Sequence, residues 1–222
     1  MGLAVRRAKS FSEMPEEIVI PASSVQLPGI LNVPSEAAGI VIFAHGSGSG
    51  RLSPRNTFVA KVLEDKGLAT LLFDLLTEDE DVTYATRFDI PLLTRRLKAA
   101  TRWVLENPKT QNLPIGYFGA STGSAAALAA AAKLRKTIAA VVSRGGRPDL
   151  VLPVLQHVIA ATLFLVGGND EQVLGLNKQA YALLHAEKKL RIIPGATHLF
   201  EERGALEEVA RLAADWFGEH LR

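Results

Sequence analysis

Hydrophobic segments of strand length alternate with helix-like segments from about residue 39 to the end of the chain, and this alternation constrains the fold most strongly. The first segment, GIVIFAH (39–45), is apolar throughout and ends at a glycine- and serine-rich turn. An unbroken apolar run is typical of a strand that helices cover on both faces. Further runs of this kind are ATLLFD (69–74), PIGYF (114–118), IAAVVS (138–143), ATLFLVG (161–167) and KLRIIP (189–194).

The segments between these runs carry helix signals. Ser53 and Pro54 supply an N-cap and a proline at the first helical position, and Asp89 and Pro91 open a longer amphipathic helix. Residues 77–88 are acidic and without pattern, which predicts a surface loop. Further helices are predicted over the alanine-rich segment Ser124 to Leu134 and over roughly 173–185 and 204–221.

The alternation predicts an α/β fold with a mostly parallel, doubly wound sheet, helices on both faces and right-handed crossovers. Before it, EEIVIP (16–21) and VQLPGILNVP (25–34) predict a leading antiparallel hairpin. No repeat or linker divides the 222 residues, so we predict a single domain over 1–222.

Composition excludes several classes of function. The net charge is only +2 with both signs interspersed, which argues against a nucleic-acid partner. The absence of cysteine excludes disulfides, cysteine-ligated metals and a thiol nucleophile. No apolar run has the length of a membrane span, the opening residues 1–14 lack the apolar run of a secretory signal, and Arg6 stands where myristoylation after Gly2 needs serine or threonine. We therefore expect a cytoplasmic protein.

The pentapeptide GASTG (119–123) fits the motif G-x-S-x-G, with a buried run before it and a helix after it. In this context Ser121 projects from a tight strand-to-helix turn, where glycines at 119 and 123 remove steric clashes. The amide of Thr122, at the helix start, would then donate to an oxyanion. The alternative is a glycine-rich turn with a serine N-cap, which any α/β protein can contain.

A nucleophilic serine needs a histidine base and an acid that orients it. His198 lies in the loop PGATHLFEE after a late strand, and Asp170 follows ATLFLVGGN, so both are expected at the same carboxyl edge as Ser121. The order Ser121, Asp170, His198 is that of α/β-hydrolases. Asp149 is a weaker rival for the acid. The other histidines are His45 at a strand end, His157 in a connection, and His185 and His220, predicted to be solvated on helices.

The turn HGSGSG (45–50) would complete the site, because the amide of Ser47 (or Gly46) can supply the second oxyanion donor. A competing interpretation is a dinucleotide-binding loop, with Asp74 as the ribose-binding acid. Against it, Arg51 replaces the third glycine and the helix starts only near Pro54. A phosphate loop of the Walker type fails because no Gly-Lys-Ser/Thr follows.

With AHGSGSG, GYFGASTG, LFLVGGNDEQV and PGATHLFEE in place, the sequence resembles the α/β-hydrolase superfamily, and its dienelactone-hydrolase-like branch in particular, over nearly the whole chain. The resemblance implies an eight-stranded, mostly parallel sheet and a serine esterase mechanism. Dienelactone hydrolases proper use a cysteine nucleophile, whereas this chain has Ser121 and no cysteine. We therefore expect a carboxylesterase-type serine hydrolase.

The expected substrate is a small-molecule ester of small to medium size, with no cofactor and no metal. The segment from Arg144 to His157 is too short for a cap domain, so the pocket should be open. Leu75, Phe88 and Leu199 are candidate substrate-binding residues, and arginines near the edge would suit an acidic ester or lactone. Three alternatives stay open: a thioesterase, an acyltransferase, and a catalytically inert binding module. The oligomeric state also stays open.

Overall fold

One mixed sheet forms the centre of the molecule. The structure is a computed structural model that describes residues 14–222. The signal-peptide and myristoylation predictions therefore fall mainly outside the described residues. Within 14–222 the sheet has eight strands in the order β1-β2-β4-β3-β5-β6-β7-β8. The strands are β1 (Glu16–Ala22), β2 (Val25–Asn32), β3 (Ile40–Ala44), β4 (Ala69–Phe73), β5 (Ile115–Ala120), β6 (Ile138–Arg144), β7 (Ala161–Gly167) and β8 (Lys188–Ile193). The α-helices are α1 (Pro54–Asp65), α2 (Glu78–Asp81), α3 (Ile90–Glu106), α4 (Thr122–Leu134), α5 (Glu171–Leu183) and α6 (Ala205–His220).

The sheet is mostly parallel, as predicted. β1 pairs with β2 and β2 with β4 in the antiparallel sense, which confirms the leading hairpin. From β4 through β3, β5, β6 and β7 to β8 every pairing is parallel. Each residue of β3, β4, β5 and β7 is buried, which explains why these strands have continuous apolar sequences.

Helices cover both faces of the sheet. α1 and α6 pack together on one face, and α3, α4 and α5 lie on the other with a segment of 3-10 turns, Pro148–His157. That 3-10 segment is the structure between β6 and β7, so the described part of the chain has no cap domain over the carboxyl edge. The carboxyl ends of the parallel strands therefore remain open, and the loops after them can form a site.

Two local predictions were wrong. Residues 77–88 are not an irregular loop: Thr77 and Glu80 form a capping box on the one-turn helix α2, and Tyr84–Phe88 is a 3-10 helix. His220 is not solvated, because its Nδ1 donates to the carbonyl of Trp216 at 2.8 Å and its ring lies against the indole.

Between residues 14 and 222, none of the helices combines the length and the apolar character that crossing a membrane requires.

Candidate active site

Ser121 occupies a strained turn between β5 and α4. Its φ and ψ are 50° and −120°, a region that side-chain-bearing residues rarely adopt. Its N–H donates to the carbonyl of Arg144, and its own carbonyl accepts from the amides of Ser124 and Arg147, each at 3.1 Å. These three hydrogen bonds hold the strained backbone in place.

The two glycines of the motif make this turn sterically possible. A Cβ on Gly119 would lie 2.5 Å from the Cα of Ser124, and a Cβ on Gly123 would overlap the carbonyl oxygens of Ala44 and His45. Neither position accepts a larger residue without a backbone shift. The spacing G-x-S-x-G therefore follows from close approach on both sides of Ser121.

His198 and Asp170 come together as the sequence predicted. The His198 Nδ1 donates to Asp170 Oδ2 at 2.7 Å, and the side chains are 39% and 14% exposed. A neutral imidazole that carries its proton on Nδ1 has a free lone pair on Nε2, which can accept a proton. The pair therefore has the tautomer that a general base requires.

The loop after β6 lies between Ser121 and this pair. A Cβ on Gly145 would lie 3.4 Å from the Nδ1 and Cε1 of His198, and the preceding residue, Arg144, accepts the Ser121 amide. Within the described residues the Ser121 hydroxyl makes no hydrogen bond. Such bonds are often long in ligand-free active sites and shorten when substrate binds.

Asp149, the weaker candidate for the acid, and Asp74, the candidate ribose-binding acid, both have other partners. Asp149 receives two hydrogen bonds of 2.8 Å from the guanidinium of Arg147. Asp74 is paired with Arg51, which donates to it through both its backbone amide and its guanidinium. Asp74 therefore anchors the glycine turn, and the helix after that turn begins only at Pro54. Both observations argue against the dinucleotide-binding alternative.

The glycine turn passes directly beside the nucleophile. A Cβ on Gly46 would lie 3.2 Å from the Cβ of Ser121, so the backbone around Gly46 and Ser47 faces the reacting group. Opposite it, Thr122 is the first residue of α4, and amides in the first turn of a helix have no partner within the helix. The amides of Ser47 and Thr122 therefore belong to the two elements that flank Ser121.

His45 fixes this turn, a role that the sequence analysis missed. Its Nε2 accepts the Leu75 N–H at 2.9 Å, and its Nδ1 donates to the Gly46 carbonyl at 2.9 Å. Burial lowers the pKa of the His45 imidazole and keeps it neutral. The available signal was its position, at the end of a buried strand and directly before the turn.

The candidate substrate-binding residues do not share one environment. Leu75 is fully buried and borders a narrow space beside Gly46 and Ser47. Phe88 is half-buried against Tyr84, whereas Leu199 is 41% exposed next to His198. A larger open cavity, about 620 Å³, adjoins the glycine turn. Its wall includes His45, Ser49, Leu76, Arg87 and the carboxylates of Asp74, Glu78, Asp79 and Asp81.

Arg144 lies at the carboxyl end of β6 and is only 8% exposed. Its Nε and one terminal nitrogen (Nη1) are buried and find no hydrogen-bond partner among residues 14–222, and its Cζ lies 5.8 Å from the ring centre of Phe200. Burial and the nearby charge of Arg55 lower the pKa of the Arg144 guanidinium to about 10. The sequence placed several arginines at this edge but did not distinguish this one.

Three side chains with metal-ligating atoms lie close together at the opposite edge of the sheet. Ligand atoms of Glu187, Glu219 and His220 come within 4.8 Å of one another, and the His220 Nε2 is 3.3 Å from a Glu187 oxygen. Glu187 directly precedes β8, whereas Ser121 follows the carboxyl end of β5. This group has no part in the chemistry at Ser121.

The fold and the turn at Ser121 together define the class. A strained serine between a central parallel strand and a helix, followed along the chain by a strand-end aspartate and its histidine, is the arrangement of the α/β-hydrolases. The model of the Dienelactone hydrolase family matches residues 27–220. The chain therefore belongs to the dienelactone hydrolase family.

Some known proteins resemble this chain in sequence, and others share its fold. A Mycobacterium tuberculosis protein named "Putative phosphoribosyl transferase" is 55% identical over 206 residues, 93% of this chain and 46% of that protein. The chain thus spans about half the length of the curated relatives it matches. A dienelactone hydrolase crystal structure from Anabaena variabilis is 54% identical, with a TM-score of 0.92, and the match covers 95% of this chain and 100% of that one. Est1E from Butyrivibrio proteoclasticus shares the fold at 18% identity, with a TM-score of 0.76 over 91% of this chain and 98% of that one.

Proposed function

We propose that this chain is a serine hydrolase that cleaves carboxylic esters of small to medium size through an acyl-enzyme intermediate. The hydrogen bond between Asp170 and His198, next to a serine with φ of 50°, is the observation that carries the proposal. A buried glycine turn or a simple N-cap requires neither feature. The mycobacterial relatives whose name refers to a phosphoribosyl transferase are about twice this length, so that name does not by itself assign an activity to this chain.

The proposed reaction has two steps. The Ser121 hydroxyl attacks the ester carbonyl while His198 Nε2 accepts its proton, and Asp170 stabilises the imidazolium. The amides of Thr122 and Ser47 donate to the tetrahedral oxyanion. His198 then protonates the departing alcohol, and a water molecule releases the acid by the same sequence in reverse.

Hydrolysis of p-nitrophenyl butyrate by the purified protein tests the proposal. Ser121→Ala should lower kcat by a factor of about 10³ or more, since it removes the nucleophile. Loss of the orienting acid in Asp170→Asn should lower kcat about 10³- to 10⁴-fold. Full activity in Ser121→Ala would exclude the mechanism.

Asp149→Asn is the matched control for Asp170→Asn. It makes the same chemical change on a neighbouring loop, but Asp149 pairs with Arg147 and not with His198. Its kcat should stay within about threefold of the unmodified protein. If Asp149→Asn were the more damaging variant, the assignment of the acid would be wrong.

A fluorophosphonate probe separates the proposal from an inert binding module, because labelling needs an activated serine. We expect one label on Ser121, absent in Ser121→Ala. Thioester and amide substrates compared with matched esters would then identify a thioesterase or a peptidase, and alcohol acceptors an acyltransferase.

A further inference from the structure

Asn177 is a fully buried polar side chain on α5, and the proposed mechanism gives it no role. Its Nδ2 donates to the carbonyl of Val173, one turn earlier in the helix, at 2.8 Å, and to the carbonyl of Gly146 at 2.9 Å. Its Oδ1 is buried and finds no partner among residues 14–222. Because an unbonded buried oxygen lowers stability, the reason for an asparagine here lies in what its two hydrogen bonds hold together.

The two acceptors of Asn177 define the chemistry that the position requires. Both are carbonyl oxygens, which only accept, so the side chain must present an NH2 group with two donors. A carboxylate would place an acceptor against them, and a hydroxyl has one hydrogen to give. Asparagine is therefore the shortest side chain that can join the two segments.

Gly146 lies in the loop between Ser121 and His198, and its neighbours contact both residues. Gly145 lies against the imidazole, since a Cβ on it would be 3.4 Å from the His198 Nδ1. The amide of Arg147 donates to the carbonyl of Ser121 at 3.1 Å. A shift of Gly146 would therefore move one contact of the nucleophile and one contact of the base together.

Gly146 is also closely packed against the helix that follows the nucleophile. A Cβ on Gly146 would lie 2.0 Å from the Oγ of Ser143 and 2.2 Å from the Oγ of Ser124, and both serines are fully buried. Ser124 is in the first turn of α4, and Val173 is in the first turn of α5. The loop therefore packs on the helix that begins after Ser121 and is hydrogen-bonded to the helix that begins after Asp170.

This link matters because hydrogen bonds join only part of the triad. Asn169 donates through its N–H and its Nδ2 to two carbonyls of the loop that carries His198, each at 2.9 Å. Asp170 and His198 are bonded directly. Within residues 14–222 no hydrogen bond joins the Ser121 hydroxyl to His198. The distance between the serine and its base is therefore set by the backbone, through the loop that Asn177 holds.

We propose that Asn177 is a positioning residue that sets the distance between Ser121 and His198. It ties the loop after β6, which contacts both residues, to the helix that begins directly after Asp170. Alignment of this kind raises kcat, because the reacting groups are already in place when substrate binds. The inference rests on the proposed function and adds to it a residue that acts through others.

Asn177→Leu keeps a branched side chain and removes both donors. The kcat for p-nitrophenyl butyrate should fall about 10- to 100-fold with KM within about threefold, since a misplacement of about 1 Å can cost about 10² in rate. The rate at which a fluorophosphonate labels Ser121 should fall by a similar factor. An unchanged kcat in folded Asn177→Leu would overturn the proposal.

Asn177→Ser separates positioning from stability, and it serves in case Asn177→Leu does not fold. A serine on a helix donates to the carbonyl one turn earlier, so the bond to Val173 is kept and the link to Gly146 is lost. We expect a smaller fall in Tm than in Asn177→Leu but an equal fall in kcat. A kcat within about twofold of the unmodified protein would overturn the proposal.

Thr110→Val is the matched control. Thr110 is 1% exposed, and its Oγ1 donates to the carbonyl of Val104 at 2.7 Å. It precedes β5 and so lies at the edge of the sheet opposite Ser121. Its loss also removes a buried hydrogen bond to a carbonyl, so Tm should fall while kcat stays within about twofold. An equal fall in kcat would show that any loss of stability lowers the rate, and Asn177 would have no special role.

Crystal structures of the unmodified protein and Asn177→Ser test the proposal without catalysis. In the variant, Gly146 should lie farther from α5, and the distance from Ser121 Oγ to His198 Nε2 should increase. If the loop moves but the unmodified protein hydrolyses no ester, the positioning role stands and the esterase proposal is wrong. If the loop stays in place and both proteins hydrolyse p-nitrophenyl butyrate equally well, the esterase stands and the positioning role is wrong.

Discussion

The two segments that flank Ser121 differ in how fully their buried polar groups are hydrogen-bonded. In the turn after β3, both ring nitrogens of His45 are hydrogen-bonded, and Arg51 is paired with Asp74. At the end of β6, Arg144 is buried, and two of its nitrogens have no hydrogen-bond partner in the part of the chain that the structure describes. A fully bonded polar network makes a loop rigid, whereas an unpaired buried ion lowers stability. The first loop is therefore suited to holding a fixed geometry, whereas the second carries a buried charge that no partner in residues 14–222 compensates.

The largest expected effect, a fall in kcat, comes from removing the two hydrogen bonds of the His45 side chain. His45→Leu removes both hydrogen bonds that position the turn at Gly46 and Ser47, so the oxyanion donor proposed there should be misplaced. We expect kcat for p-nitrophenyl butyrate to fall about 10²-fold with little change in KM, as for loss of an oxyanion-hole donor. A kcat within threefold of the unmodified protein would show that the turn holds its geometry without His45.

Two more conservative substitutions measure separately how much each of the two hydrogen bonds contributes to kcat. His45→Asn can retain a donor to the Gly46 carbonyl, and His45→Gln can retain an acceptor for the Leu75 amide. Each should lose less activity than His45→Leu. Circular dichroism on all three variants separates a local displacement from unfolding.

The next effect comes from removing the unpaired charge. Arg144→Met replaces a buried cation with an apolar side chain of similar length, which should raise stability by about 1–3 kcal/mol. For a chain of this size that is an increase in Tm of about 2–12 °C, measurable by scanning calorimetry. Arg95→Gln, on an exposed site, serves as the control and should change Tm little. A lower Tm in Arg144→Met would mean that the guanidinium has a stabilising partner after all.

The smallest effect is a pH dependence of stability that belongs to His45. Burial lowers its pKa in the folded protein, whereas the unfolded chain titrates near about 6.5. The contribution of a neutral His45 to stability is therefore complete above that value and decreases as the pH falls below it, because only the unfolded chain then gains the proton. Urea unfolding should show that the unmodified protein loses up to about 1 kcal/mol more than His45→Gln between pH 6.5 and 5.5. Equal losses would assign the pH dependence to other groups.

The parts that the sequence predicts well are those that depend on short segments and their order. The continuous apolar runs predict the parallel strands, and the glycines around Ser121 predict its turn. Asp170 and His198 each lie in a loop directly after a strand, and parallel strands bring such loops to one edge of the sheet. Their hydrogen bond of 2.7 Å confirms that they meet.

The parts that the sequence missed depend on neighbours that are distant along the chain. Within residues 14–222 Arg144 has no opposite charge, because the groups near it are Arg55, at the start of α1, and Phe200, in the loop after β8. Its own segment, IAAVVSRGGR, reads like any strand followed by a basic loop. Leu75 was predicted to contact substrate, but it is fully buried beside the turn that His45 holds. α2 has only four residues, too few for a periodic signal, although its capping box was readable at Thr77 and Glu80.

The φ of 50° at Ser121 has a consequence for laboratory evolution. A selection for thermal resistance alone rewards any substitution that relieves backbone strain, and glycine adopts this conformation without the cost that serine bears. Such a selection should convert position 121 to glycine and position 144 to an apolar residue. The product would be more stable to heat but would lack the proposed catalytic activity. Libraries built on this scaffold therefore need an activity screen from the first round.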